Sequence, residues 1–84
     1  MSPMIIDVRE PNEFSGSHVS GAVNIPLGDI LSGNADIFEK PKDTPLIVYC
    51  RSGARASSAV SALEHKGFTN ITNGINQNHI ESNM

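Results

Sequence analysis

Leu46-Ile47-Val48-Tyr49-Cys50-Arg51-Ser52-Gly53-Ala54-Arg55 is the stretch from which the fold can be read. Its first four residues are a continuous apolar, β-favouring run without alternation, the pattern of a strand covered on both faces. Beyond the stretch, Ala56, Ala59, Val60 and Leu63 recur at the spacing of a helix with one buried side. Cys50, the only cysteine of the chain, therefore falls at a strand-to-helix turn.

That position has chemical consequences. The first turn of a helix presents unpaired N–H groups and the positive end of its dipole to whatever lies in front of it. A thiolate placed there is stabilised, and cysteines at helix N-termini beside Arg or Lys drop from a pKa of about 8.5 to roughly 3.5–7.5. Arg51 and Arg55 supply the positive charge. Gly53 lets the backbone turn tightly enough for its N–H groups to form an anion-binding nest. Residues Arg51, Ser52, Gly53, Ala54 and Arg55 are thus expected to cradle an anion around a nucleophilic Cys50. The competing reading is a small buried hydrophobe without chemistry. A structural cysteine, however, does not need two guanidinium groups beside it.

Outward from this stretch, 84 residues make one domain, 1–84, with a modest core. Apolar residues are 38% of the chain and Trp is absent, so Ile, Val, Leu and Ala must supply most of the packing. A single cysteine excludes an internal disulfide, and no Cys/His spacing suggests zinc. Six basic against nine acidic residues leave a net charge of −3 and no basic stripe for a nucleic acid. No apolar segment approaches the roughly 20 residues that span a bilayer. Met1-Ser2-Pro3-Met4 does not open a secretion signal, so neither a membrane nor a nucleic acid is an expected partner and the expected location is cytoplasmic.

Met4-Ile5-Ile6-Asp7-Val8 reads as a second buried strand with a carboxylate near its end. Ligands gather outside such strand ends in open α/β sheets, which makes Asp7 and Arg9 candidates for supporting the Cys50 site. The preferred reading is structural, with both charges paired, because buried charges normally are. Pro11 opens a short helix with Glu13 in its first turn, and Gly16-Ser17 ends it. His18 is read as fixing the following turn rather than as a base for Cys50. Ala22 to Pro26 is a brief strand, and Leu27 to Glu39 holds two short helices or turns. Lys40 to Pro45 is a polar loop whose lysines are read as solvated. The helix after the Cys loop stops at His65-Lys66-Gly67, with Phe68 packing back toward Leu63. Thr69 to Thr72 is a last short strand, Asn73-Gly74 a turn, and Ile75 to Met84 a polar tail open to fraying, with Ile75 and Ile80 as anchors. Alternation of strands and helices implies a small three-layer α/β/α sandwich around a mostly parallel sheet of four to five strands.

Three patches in this order resemble the rhodanese-like domain. They are Ile6-Asp7-Val8-Arg9 with Pro11, Glu13 and Phe14; His18 to Pro26; and Val48 to Arg55. The resemblance extends over roughly residues 4 to 75 and is similar in size to the compact single-domain branch. It implies a sulfurtransferase without a metal or organic cofactor. Cys50 would attack a small anionic sulfane sulfur donor such as thiosulfate, keep the sulfur as a persulfide, and pass it to cyanide or a thiol, a protein thiol included. The N–H groups of residues 51 to 55 would hold the persulfide, and Arg51 or Arg55 would attract the donor. The tandem-domain branch carries basic side chains near the positions of Glu13 and Ser52, so the resemblance does not single out thiosulfate.

Two other functions compete. Cysteine phosphatases use the same nest, but with five residues between Cys and Arg; here there are four, Arg51 to Ala54, a cradle sized for one sulfur rather than a tetrahedral phosphate. The second is a non-enzymatic persulfide carrier or docking module serving a protein partner.

Overall fold

The two continuous apolar runs become adjacent strands in the computed structural model of the protein, which describes residues 3–83. Met1, Ser2 and Met84, which the sequence reading assigns to the start and the tail, lie outside the described residues. Strand β1 (Met4–Asp7) pairs in parallel with β3 (Leu46–Cys50), Ile6 opposite Val48. The short β2 (Val23–Asn24) joins the other edge of β1, and β4 (Ile71–Asn76) the other edge of β3. The sheet is thus four-stranded, ordered β2-β1-β3-β4, and parallel throughout.

A parallel sheet must be covered on both faces, and the strand residues divide accordingly. Ile6, Val8, Leu46, Val48 and Cys50 point into one core. They meet Ile30 of α2 (Leu27–Ser32), Ile37 of a 3₁₀ helix (Asp36–Glu39), and Ala56, Ala59 and Leu63 of α3 (Ala54–His65). Each fully buried Ile, Leu or Val here contributes about 1.5–3 kcal/mol. Phe68 closes this layer as expected, its N–H donating to the Leu63 carbonyl at 3.1 Å. The opposite layer is thinner: Val19, Tyr49 and Ile80 are its buried members, with Ile5, Ala22 and Ile47 packed against them. Helix α1 (Pro11–Gly16) buries no residue.

Three local expectations are corrected. Asn73-Gly74 is not a turn; β4 runs through it to Asn76, with a register shift opposite Val48 and Tyr49. The extra residue is absorbed as a bulge, so that Asn76 can still pair with Cys50. In place of a fraying tail, Gln77–Ser82 form α4, capped by Asn76, whose Oδ1 accepts from the His79 N–H at 2.7 Å, and pinned by buried Ile80. Lys42 is not merely solvated, because its Nζ donates to the Phe38 carbonyl at 2.9 Å and lies 4.4 Å from the Phe68 ring centroid. Among the described residues no helix is long and apolar enough to cross a membrane.

The charges at the end of β1 are paired with each other. Asp7 is fully buried; its Oδ1 accepts from the Arg9 backbone N–H and from Nε, both at 2.9 Å, and its Oδ2 from Nη2 at 2.6 Å. The same Nη2 donates to the Ser17 carbonyl at 2.7 Å, which fastens the end of α1, and the guanidinium lies 5.6 Å from the Tyr49 ring centroid. Burial above all pushes the Tyr49 hydroxyl up to about 12. It therefore stays a neutral phenol and accepts from the Val19 N–H at 3.0 Å.

Two substitutions test this framework. A Cβ at Gly74 would lie 2.7 Å from Ile80 Cδ1 and 2.9 Å from the branched Ile47 Cγ2; Gly74→Ala is expected to lower the urea unfolding free energy by about 1–3 kcal/mol. Arg9→Ala leaves Asp7 buried and unpaired, and is expected to lower it by about 3–5 kcal/mol.

Candidate active site

Cys50 ends β3, and the chain bends through Arg51-Ser52-Gly53 before α3 begins at Ala54. Gly53 makes the bend possible. Its φ of 95° lies in the left-handed region that L side chains rarely adopt. The turn folds back over the sulfur, so that Sγ accepts from the Gly53 N–H at 3.1 Å and from the Ala56 N–H at 3.3 Å. Cys50 is 2% exposed, yet the groups that reach its sulfur are amides of the helix start, not hydrocarbon alone. Burial pushes the thiol up; the N–H groups of Ala56, Ser52, Gly53 and Arg55 outweigh burial and bring it below its ordinary value. Arrayed N–H groups and the positive end of α3 favour the thiolate for the same electrostatic reason.

The two loop arginines differ. Arg55 is turned to α1, where Nη1 and Nη2 donate to Glu13 Oε1 and Oε2 at 2.8 and 3.1 Å. Glu13 Oε1 also accepts from the Glu10 N–H at 3.0 Å, so one carboxylate caps α1 and ties it to the start of α3. These bonds, Arg55 first and the Glu10 amide next, hold the Glu13 carboxyl down to about 2. Arg51 is exposed and has no ion-pair partner among the described residues. Ser52 and Ala54 are exposed at the loop surface and Gly53 is buried beneath them.

Asp7 and Arg9 do not join this cradle. Asp7 pairs in register with Tyr49, which belongs to the opposite layer from Cys50, and the side-chain bonds of Arg9 go to Asp7 and Ser17. Their part is to fix the end of β1 and the return of α1. His18 is exposed; its Nδ1 donates to the Phe14 carbonyl at 2.8 Å and its ring stacks on Phe14 at 3.7 Å, the turn-fixing arrangement expected of it. Sequence reading missed Asn73. Its Nδ2 donates to the Gly53 carbonyl at 3.3 Å and to Ser57 Oγ at 3.0 Å, linking β4 to the loop. Among the described residues no cluster of His, Cys, Asp and Glu could hold a metal ion.

Comparison with known proteins places this geometry in a family. The family described as Rhodanese-like domain matches residues 1–77. The uncharacterized protein YqhL of Bacillus subtilis is 42% identical over 69 residues, covering 82% of this chain and 52% of that protein. Thiosulfate sulfurtransferase PspE of Escherichia coli is 37% identical over 68 residues, covering 81% of this chain and 64% of that protein. The chain therefore spans between half and two thirds of the length of these curated relatives. A solved structure of a rhodanese with anions from E. coli superposes with a TM-score of 0.81 at 31% identity, covering 93% of this chain and 91% of the other. Matched in sequence over most of its length and in fold to solved rhodanese-like domains, the chain belongs to the rhodanese-like family.

Proposed function

We propose that the protein is a rhodanese-type sulfurtransferase that carries sulfur on Cys50. The observation that carries this reading is the ring of α3 amides directed at the sulfur of the only cysteine. Such a ring favours the thiolate before reaction and would favour an anionic persulfide after it. Likeness to a thiosulfate sulfurtransferase supports the same chemistry.

In the first half-reaction the Cys50 thiolate attacks the outer sulfur of thiosulfate. A sulfur–sulfur bond forms to Cys50 as the bond to the oxidised sulfur breaks, and sulfite leaves with the electron pair. Net charge is conserved, and no metal, cofactor or external base is required. In the second half-reaction cyanide or a thiolate attacks the outer sulfur of the persulfide, and Cys50 departs as the thiolate. Gly53 and its neighbouring N–H groups have the role of meeting the added sulfur, which extends about 2.05 Å from Sγ. Arg51 has the role of drawing in the anionic donor, because Arg55 is engaged by Glu13. The four-residue spacing from Cys50 to Arg55, with the Arg55 side chain directed away to α1, argues against a phosphate clamp.

Incubation with thiosulfate is expected to add one sulfur to the wild type by intact-mass spectrometry and none to Cys50→Ser, with cyanide then releasing thiocyanate catalytically. Arg51→Ala is expected to load to the same extent but with a KM for thiosulfate raised about 1.5–5-fold, the scale of one exposed charge contact. Loading without turnover would establish a carrier instead, and no loading by thiosulfate, a mercaptopyruvate-type donor or a glutathione persulfide would leave a docking module.

The lowered Cys50 pKa has a definite sign. The folded protein releases the thiol proton at lower pH than the unfolded chain, so the thiolate is present above the folded pKa and is lost as pH falls through it. The rate of Cys50 alkylation by iodoacetamide is expected to reach half its plateau at a lower pH in the folded protein than in the same protein unfolded in urea, and thiosulfate kcat/KM is expected to fall with it on acidification.

A further inference from the structure

We propose that Asn73 is a positioning residue for Cys50: its carboxamide pins the Gly53 carbonyl and the Ser57 hydroxyl to β4, and so keeps the loop N–H groups turned onto the sulfur. The inference deepens the sulfurtransferase reading and rests on it for its functional meaning.

The carboxamide is used on both sides. Nδ2 donates to the Gly53 carbonyl at 3.3 Å and to Ser57 Oγ at 3.0 Å, while Oδ1 accepts from the Ile75 N–H at 2.8 Å. Gly53 is the residue whose N–H meets Sγ and whose carbonyl starts the α3 ladder by accepting from the Ser57 N–H at 2.9 Å. Asn73 therefore grips the Gly53–Ala54 peptide, joined through the Gly53 Cα to the Ser52–Gly53 peptide whose N–H meets Sγ. Ile75 bears on the same place. Its φ of 70° is unusual for a β-branched residue, and its Cγ2 would lie 3.4 Å from a Cβ on Gly53. Strained backbone of this kind persists only where its surroundings fix it, and the Asn73 Oδ1 contact to the Ile75 N–H is one such fixture. Arg55 and Glu13 in turn hold the first turn of α3 to α1. The loop is thereby secured from two directions, by charge at α1 and by an amide at β4.

A structural role alone and a positioning role differ in what they move. Loss of the clamp lets the Gly53 N–H swing off Sγ, which disfavours the thiolate even where the fold survives. The charged groups beside the loop, Arg51 and the Arg55–Glu13 pair, are unchanged in the variants. The test is the pH dependence of Cys50 alkylation by iodoacetamide in the wild type, Asn73→Ala, Asn73→Asp and Ser57→Ala, with folding followed by circular dichroism. Asn73→Ala is expected to raise the apparent pKa by about 0.5–1 pH unit, the scale of one net hydrogen bond. Asn73→Asp, which keeps the acceptor for Ile75 but replaces the donor with a negative charge, is expected to raise it at least as far, and Ser57→Ala less. If Asn73→Ala does not fold, Asn73→Ser, which adds no charge and is too short to span to the Gly53 carbonyl, decides the matter, because the charge of Asn73→Asp raises a thiol pKa by itself. An unchanged pH profile in the folded Asn73 variants, with or without a lowered Tm, overturns the inference. Alkylation needs no sulfur donor, so a wild type that never loads sulfur would refute the sulfurtransferase reading while leaving this test intact.

Discussion

The contact between a buried sulfur and the amides of a helix start constrains most of this small fold. Sγ of Cys50 accepts from Gly53 and Ala56, so the chain must reverse within three residues of the end of β3 and enter α3 with its first N–H groups facing back. A side chain at Gly53 would resist that reversal. Once α3 is so aimed, its apolar stripe of Ala56, Ala59 and Leu63 lies along β3, and α2 and the 3₁₀ helix fill the space beside it. Chemistry and packing thus share one turn. The amide cradle around Sγ is a by-product of covering a parallel sheet with a helix that starts at a strand end.

The remaining charges are arranged so as not to compete with that site. Asp7 and Arg9 neutralise one another in the opposite layer, and Arg55 is held by Glu13. Of the basic groups near the loop, Arg51 is left facing solvent. The sulfur is thus met by main-chain amides rather than by a charged side chain, and Arg51 is the guanidinium of the loop without an ion-pair partner among the described residues.

The strand, turn and helix around Cys50 were legible because hydrophobic periodicity changes sharply there, from a continuous run to a helical stripe, with a glycine between. β1 and the stop after His65 were legible for similar local reasons. The misread parts are those settled by distant partners. Asn-Gly is a strong turn signal, but at 73–74 it is overridden by pairing of Asn76 with Cys50 and by the close approach of Ile47 and Ile80 to Gly74. Helix α4 offers a single buried residue, Ile80, too little for a stripe, and its one sequence signal is the capping Asn76. The Arg55–Glu13 bond joins residues 42 apart, and the Asn73 link to the Cys loop joins residues 20 apart. Neither separation leaves a periodic trace. The alternation of strands and helices nevertheless placed the sheet and its layers correctly, since those follow from the order of the elements rather than from any one contact.

Helix α1 carries a consequence of its own. Because it buries no residue, it is moored at one end by the Glu13–Arg55 pair and at the other by Arg9 on the Ser17 carbonyl. The first mooring is open to water, where dissolved ions act over a Debye length of about 8–10 Å; the second is sheltered. Electrolyte therefore weakens the tie of α1 to the start of α3 more than its tie at Ser17, so that brine frees one end of this flap while the other keeps its place.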